Sequence, residues 1–177
     1  RYNDGSPYGA IARFGTEFRV NNVTIGDQTD PSIAMNEDGT YLITYSDASD
    51  GPSTDVIFQQ YISDLFKNGV ETLANSSDSV TQTEADVAVA PDGRHAAVWH
   101  GLSPNGIYFT LWDAYGNIVV QDVRVDNDGA INDHANPTIA FYKDTNDNGS
   151  NVGRFVIAWS GSVPTCGTDY ANAGTDI

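Results

Sequence analysis

The sequence predicts an all-β protein made of a repeat of about 50 residues, and three observations support this prediction. Twenty Asp, fifteen Asn and 17 Gly stand against four Glu; Asp, Asn and Gly favour turns, whereas Glu favours helices. A motif recurs three times without gaps. Each copy is followed by a glycine and then by alternating apolar residues, which is the pattern of a β-strand.

The motif opens each unit, and its copies begin 54 and then 52 residues apart, at residues 27–34, 81–88 and 133–140. The second predicted strand ends at an aromatic slot, which is occupied by Tyr45, Trp99 and Trp159. A third strand is predicted at 55–61 and 106–112. A fourth is predicted at 17–21, 71–75 and 122–126. Each unit therefore contains four short strands.

Four short antiparallel strands in about 50 residues, joined by Asp-Gly turns, are typical of the blades of a β-propeller. We expect the aromatic slot to pack between neighbouring sheets. Residues 1–177 then form one repeat domain. Its parts are 1–14 (the end of a preceding blade), 15–68 (the first repeat), 69–116 (the second) and 117–177 (the third, with the start of the next strand). Propellers have four to eight blades, so three leave the ring incomplete unless further copies or the rest of a longer chain complete it.

The first unit reads Gly15-Thr-Glu-Phe-Arg-Val-Asn21, Gly26-Asp-Gln28, Pro31-Ser-Ile-Ala34, Asp38-Gly39 and a closing aromatic residue. In this it resembles a recurrent unit of large secreted or surface bacterial proteins, which often carry calcium-binding or adhesin-type modules beside it. It is also distantly similar to the Asp-box blades of sialidase-type propellers, although the Ser-x-Asp-x-Gly-x-Thr-Trp spelling is missing. The resemblance implies a propeller in an extracellular or cell-surface protein and implies no particular reaction.

The charge and the cysteine content narrow the classes of partner. The formal net charge is −16, which repels phosphate and argues against nucleic acid as a partner. No stretch approaches the roughly 18–20 consecutive apolar residues that a membrane span needs. Cys166 is the single cysteine, so it is either a free thiol or a link to another chain. Sequons for N-glycosylation begin at Asn22, Asn75 and Asn148.

Two acidic turns are candidate calcium sites. The stretch Asp144-Thr-Asn146-Asp147-Asn148-Gly149 fits the opening half of a calcium loop, because alternating Asp and Asn oxygens suit a hard cation. The twelfth position of that loop is Phe155 instead of the Glu of an EF-hand, so only a half-loop is predicted. The second turn contains Asp126 and Asp128. The alternative for both is a solvated turn.

Repeat symmetry also predicts an axial ring of polar residues. The pairs that hold equivalent slots before the first strand are Gln28 with Asp30, Gln82 with Glu84, and His134 with Asn136. A propeller would bring them around one end of its axial channel, where they would bind a ligand or an ion. The alternative is that they satisfy buried backbone groups between blades.

These features predict a non-catalytic, extracellular binding or structural module that is stabilised by calcium. The sequence contains no Gly-x-Ser-x-Gly motif and no phosphate-binding loop. The first alternative is a self-assembling filament or adhesion subunit of the cell surface. The second is part of a sialidase-like enzyme that processes glycans. A glycan or a protein is the expected ligand of a binding module.

Overall fold

The computed structural model describes residues 16–49, 51, 53–62, 66–76, 80–126, 134–142 and 154–161. Within these ranges there are ten β-strands and no helix, which confirms the all-β prediction. It follows that no helix of the described ranges is long and apolar enough to cross a membrane.

The strands form three antiparallel sheets in which each strand pairs with its neighbour in sequence. The first sheet contains β1 (Gln28–Met35), β2 (Tyr41–Asp47), β3 (Asp55–Ile62) and β4 (Phe66–Leu73). The second contains β5 (Gln82–Val89), β6 (His95–Leu102), β7 (Asn105–Trp112) and β8 (Ile118–Arg124). The third contains β9 (His134–Tyr142) and β10 (Arg154–Gly161). The first two sheets are thus repeats of one four-stranded meander, and β9 and β10 repeat its first half.

The turns after the first strands follow the sequence prediction. Gly39 and Gly93 have φ values of 88° and 91°, in the left-handed region that favours glycine. Their N–H groups donate to the carbonyl oxygens of Asn36 (3.1 Å) and Ala90 (2.9 Å), which closes each turn. The Asp-Gly pairs therefore form tight turns between the first and second strands.

The prediction of a strand at 17–21 is wrong, because residues 16–27 contain no strand. Side chains of β4 take the backbone groups that a ladder would use. The ammonium of Lys67 donates to the carbonyl oxygen of Val20 (2.6 Å), and the N–H of Asn22 donates to the carboxylate of Glu71 (2.6 Å). This segment is therefore held against the first sheet by side chains rather than by strand pairing.

The fourth strands lie earlier than predicted for a related reason. β4 ends at Leu73 and β8 ends at Arg124, before the predicted ends at Asn75 and Asp126. At these two ends a side chain replaces the backbone as acceptor. Asn75 Oδ1 accepts the N–H of Val56 (2.9 Å), and Asp126 Oδ1 accepts the N–H of Ile107 (2.7 Å). The same hydrogen bond from a backbone N–H to a side-chain oxygen therefore ends the strand pairing in both sheets.

Each first strand carries a bulge at the same position. Asp30, Glu84 and Asn136 have φ values of 52°, 56° and 51°, and the pairing register shifts beside each of them. A left-handed backbone costs a non-glycine residue roughly 1–2 kcal/mol, so its recurrence marks a built-in feature. The three bulges are part of the repeat.

Two apolar clusters hold the sheets together. The first lies between the first and second sheets and includes Phe58, Trp99 and Trp112. The second lies between the second and third sheets and includes Phe109, with Trp159 packed against it. The aromatic slot therefore packs between sheets at Trp99 and Trp159, as predicted. The first strands β1, β5 and β9 lie side by side across these interfaces.

Among the described residues, two apolar side chains of the first sheet are largely exposed on β1. Ile33 is 59% exposed, whereas its repeat equivalents Val87 and Ile139 are 5% and 6% exposed. Met35, two residues further along β1, is also exposed. Val87 is covered by the first sheet and Ile139 by the second. We call the surface of Ile33 and Met35 the open face.

Candidate functional site

Three of the six residues of the predicted axial ring line one open concavity of about 350 Å³. They are the bulge residues Asp30, Glu84 and Asn136, one from the first strand of each sheet. We call this the bulge concavity. The repeat symmetry thus brings these three side chains together, and ligand binding there remains a prediction.

The wall of the bulge concavity is built around Asp86. Its Oδ2 accepts the hydroxyl of Thr138 (2.7 Å) and the N–H of Ile139 (2.9 Å), both on β9. Its Oδ1 accepts the hydroxyl of Ser32 on β1. Ser32, Asp86 and Thr138 hold equivalent positions in the three units. One carboxylate therefore joins all three sheets at the concavity.

Glu84 adds a second link between the second and third sheets. Its Oε2 accepts the N–H of Asn136 (2.6 Å) and lies 3.6 Å from Nδ1 of His100. The amide of Asn136 donates in turn to the hydroxyl of Ser160 on β10 (3.2 Å). These contacts fix two of the three bulge residues. Asp30 is exposed and accepts a hydrogen bond from Thr29 (3.2 Å).

Gln28, Gln82 and His134 do not line the bulge concavity. Gln28 Oε1 accepts the amide of Asn21 (3.0 Å), and its Nε2 donates to the carbonyl oxygen of Ile25 (3.0 Å). His134 Nε2 lies 3.3 Å from Oδ2 of Asp126, which is the repeat equivalent of Asn21. Gln28 therefore satisfies a backbone carbonyl group of its own unit, whereas His134 contacts a side chain that follows the second sheet.

Asp126 was a predicted metal ligand, and the structure gives it a structural role. Its side chain is 1% exposed. Oδ1 accepts the N–H of Ile107, and Oδ2 accepts Nε (2.9 Å) and Nη2 (2.5 Å) of Arg124. Three N–H donors thus occupy the carboxylate.

Calcium binding remains a prediction from the sequence. No group of three metal-ligating His, Cys, Asp or Glu side chains gathers within the described part of the chain. The other predicted ligands lie outside it, as does Cys166; they are Asp128, Asp144, Asn146, Asp147 and Asn148.

The predicted glycosylation sites differ in accessibility. Asn75 is 2% exposed; its Oδ1 accepts the N–H of Val56, and its Nδ2 donates to Asp55 (2.8 Å). That position does not suit a glycan in the folded chain. Asn22 is exposed and accepts a hydrogen bond from Lys67 (2.8 Å). Asn148 lies outside the described residues.

A second cavity, of about 220 Å³, was not predicted. It lies at the end of the second sheet where β6 turns into β7, and Gly101 is part of its wall. We call it the Gly101 cavity. The signal in the sequence is a difference between repeats, because the first unit has Asp47 at the position of Gly101.

No family model matches the chain, and no curated protein is significantly similar to it in sequence.

We expect Asp86→Ala to lower the free energy of unfolding by at least about 2 kcal/mol, because it strips the acceptor from two hydroxyls and one N–H. Urea denaturation measures the change. Asp92→Ala is the matched control, since Asp92 pairs with Arg94 within one exposed turn and should contribute less than about 1 kcal/mol. Equal losses in the two variants would contradict the role given to Asp86.

A second prediction concerns the stability of the folded chain at low pH. Burial alone would raise the pKa of Asp126, but the hydrogen bonds from Arg124 and the N–H of Ile107, with the charge of Arg124, hold the pKa below 3.8. A carboxyl with a depressed folded-state pKa contributes stability that is present above its unfolded value and lost as the pH falls through its folded value.

Asp126→Asn keeps the acceptor for Ile107, as Asn75 does for Val56, but removes the charge opposite Arg124. At pH 7 we expect this variant to be less stable than the wild type by about 1–3 kcal/mol. Below pH 3.8 the difference between the two should narrow. Denaturation series at pH 7 and pH 3 compare the two proteins; a gap of the same size at both values would rule out this account.

Proposed function

We propose that the chain is a non-catalytic binding and structural module whose sheets are propeller-type blades in a secreted or cell-surface protein. The observation that carries the proposal is the convergence of Asp30, Glu84 and Asn136, from three equivalent strands, on one concavity. Radial repetition of a four-stranded unit produces such an arrangement around its axis. The side-by-side first strands and the shared interface slots agree with it.

The binding part of the proposal places a ligand at the bulge concavity. Strained backbone that recurs at equivalent positions is often found where a protein positions groups for a ligand. Glu84 and Asn136 are held by hydrogen bonds, so their geometry is set before a ligand arrives. Carboxylate and amide oxygens there suit a cation or the hydroxyl and amide groups of a glycan or protein.

The structural part of the proposal gives calcium a stabilising role. Acidic turns recur in every unit, and their charges repel one another. A cation in the loop of Asp144, Asn146 and Asn148 would offset that repulsion and fix the turn. The proposal places calcium there on the strength of the residue pattern.

We expect chelation of calcium to lower the melting temperature. Calcium at 100 times its dissociation constant stabilises the folded chain by about 2.7 kcal/mol. About 1 kcal/mol shifts the melting temperature of a chain of this size by roughly 2–4 °C, so a drop of roughly 5–10 °C is expected. Calorimetric titration with calcium should show binding to the protein from which the chelator has removed calcium.

The matched variants are Asp144→Asn with Asp147→Asn, which should lose both effects, and Asp38→Asn, which should keep them. Asp38 accepts hydrogen bonds from Thr40 within its own turn and is the control for a lost surface charge. If the chelator leaves the melting temperature unchanged and the titration shows no heat of calcium binding, the stabilising role of calcium is rejected.

The open face favours self-assembly as a second candidate function. An apolar surface at Ile33 and Met35 occupies the position where Val87 and Ile139 receive a neighbouring sheet. A sheet of the same repeat is therefore complementary to it, whether it comes from a second copy or from the rest of a longer chain. No observation in the described ranges favours the sialidase-like alternative over these two.

For self-assembly, we expect the 177-residue chain to associate as its concentration rises in analytical ultracentrifugation and Ile33→Glu to remain monomeric, because the new charge would have to be buried. Val70→Glu, at an exposed position on β4 away from the open face, should associate like the wild type. A wild type that is monomeric at every concentration would reject self-assembly and leave the open face to a further repeat of a longer chain.

A further inference from the structure

The first and second sheets differ at two diagonal positions on their second and third strands. In the first sheet Asp47 and Ile57 occupy these positions, and Asp47 Oδ1 accepts Nε2 of Gln28 (2.9 Å) while its Oδ2 accepts the hydroxyl of Ser49 (2.9 Å). In the second sheet the equivalents are Gly101 and Tyr108. Glycine carries no side chain, which leaves room for the ring of Tyr108 beside it. The Gly101 cavity lies next to this ring.

The walls of the Gly101 cavity are largely apolar and fixed. The ring of Tyr108 lies over Gly101 so closely that a Cβ on Gly101 would be 2.8 Å from Cε2 of that ring. The phenol hydroxyl donates to the carbonyl oxygen of Pro104 (3.1 Å), which ties the ring to the turn between β6 and β7. Trp99, which packs in the core between sheets, lines the cavity as well.

The polar groups of the cavity come from Gln82, Asn75 and Asp122. The carboxylate of Asp122 accepts the N–H of Ser76 (3.0 Å) and its hydroxyl, and a carboxylate has about four acceptor positions in all. Asp122 also has a left-handed backbone, with φ of 51°. Of the four non-glycine residues with this conformation among the described ranges, three line the bulge concavity and the fourth lines this cavity. Such strain is often retained at binding sites.

We propose that the Gly101 cavity binds a single neutral sugar ring. Pockets for drug-sized ligands measure roughly 300–1,000 Å³, so about 220 Å³ suits one ring. The C–H face of a sugar packs on the ring of Tyr108. One sugar hydroxyl hydrogen-bonds to the side-chain amide of Gln82, while another donates to Asp122.

Charge excludes acidic sugars, because Asp122 lines the cavity and the chain carries a net charge of −16. An amide such as Gln82 donates and accepts, which matches a hydroxyl better than an ammonium group that only donates. The proposal goes beyond the proposed function, because this site is separate from the bulge concavity and requires neither calcium nor assembly.

The probes are the methyl glycosides of glucose, galactose and mannose, with N-acetylglucosamine, and their binding is measured by saturation-transfer NMR and by calorimetry. Glucuronate and tetramethylammonium are the charged comparators. We expect at least one neutral sugar to bind with a Kd on the order of 1 mM, the range that ligand efficiency sets for so small a ligand, and neither comparator to bind. No binding by any neutral sugar, or tighter binding of tetramethylammonium, would overturn the proposal.

The decisive variant carries Gly101→Asp and Tyr108→Ile, which copies the filling of the first sheet and removes the ring that a Cβ would meet. It should weaken sugar binding at least tenfold while the protein stays folded. If it does not fold, Tyr108→Ala takes its place, since it removes the wall without adding a side chain. Tyr108→Phe keeps the ring and should retain binding. Asp92→Ala, in an exposed turn outside the cavity, is the control and should bind within about threefold of the wild type. Undiminished binding after loss of the Tyr108 ring would assign the sugar to another site.

Discussion

The three sheets depend on the carboxylate of Asp86, which accepts hydrogen bonds from the sheet on either side of its own. Ser32, Asp86 and Thr138 occupy one slot of the repeat, and it is their difference that makes the link possible. Three aspartates there would repel one another, and three hydroxyls would lack a charged acceptor. A hydroxyl, a carboxylate and a hydroxyl satisfy each other. The units are therefore joined at a position where the repeat is broken.

The sequence predicted most of the fold because two signals agreed, the motif spacing and the alternation of apolar residues. Trp99 and Trp159 lie where that alternation placed them, between sheets. The fourth strands escaped prediction because hydrogen bonds from side chains to the backbone decide their ends. Whether a strand stops at Leu73 depends on Asn75 accepting the N–H of Val56, and local preference does not reveal that bond. The segment at 17–21 has a strand pattern, but Lys67 takes the carbonyl oxygen of Val20 and Glu71 takes the N–H of the adjoining Asn22.

The candidate site could be predicted only in part, and the bulge explains why. Repeat symmetry predicts that both Gln28 and Asp30 lie around the axis, and in a regular strand two residues that far apart would point to the same face. The left-handed residue at position 30 inserts a bulge that breaks this alternation, and Glu84 and Asn136 do the same in the other sheets. The second residue of each pair therefore lines the concavity, while the first lies outside it. The Gly101 cavity could not be predicted, because the sequence alone does not show which contacts the side chain of Asp47 makes and Gly101 therefore lacks.

Positions that agree between repeats build the fold, and positions that differ create its local chemistry. Gly101 in place of Asp47 admits the ring of Tyr108, which lines a cavity, and Asp126 in place of Asn75 gives Arg124 a buried partner. The open face is the informative exception, because Ile33 keeps the apolar character of its slot although the described residues leave it more than half exposed. Water would tolerate a polar residue there at no loss to the first sheet, and exposed apolar patches mark surfaces that meet another protein surface. An apolar residue at a slot that buries its equivalents therefore supports the view that a further sheet of the same repeat covers Ile33.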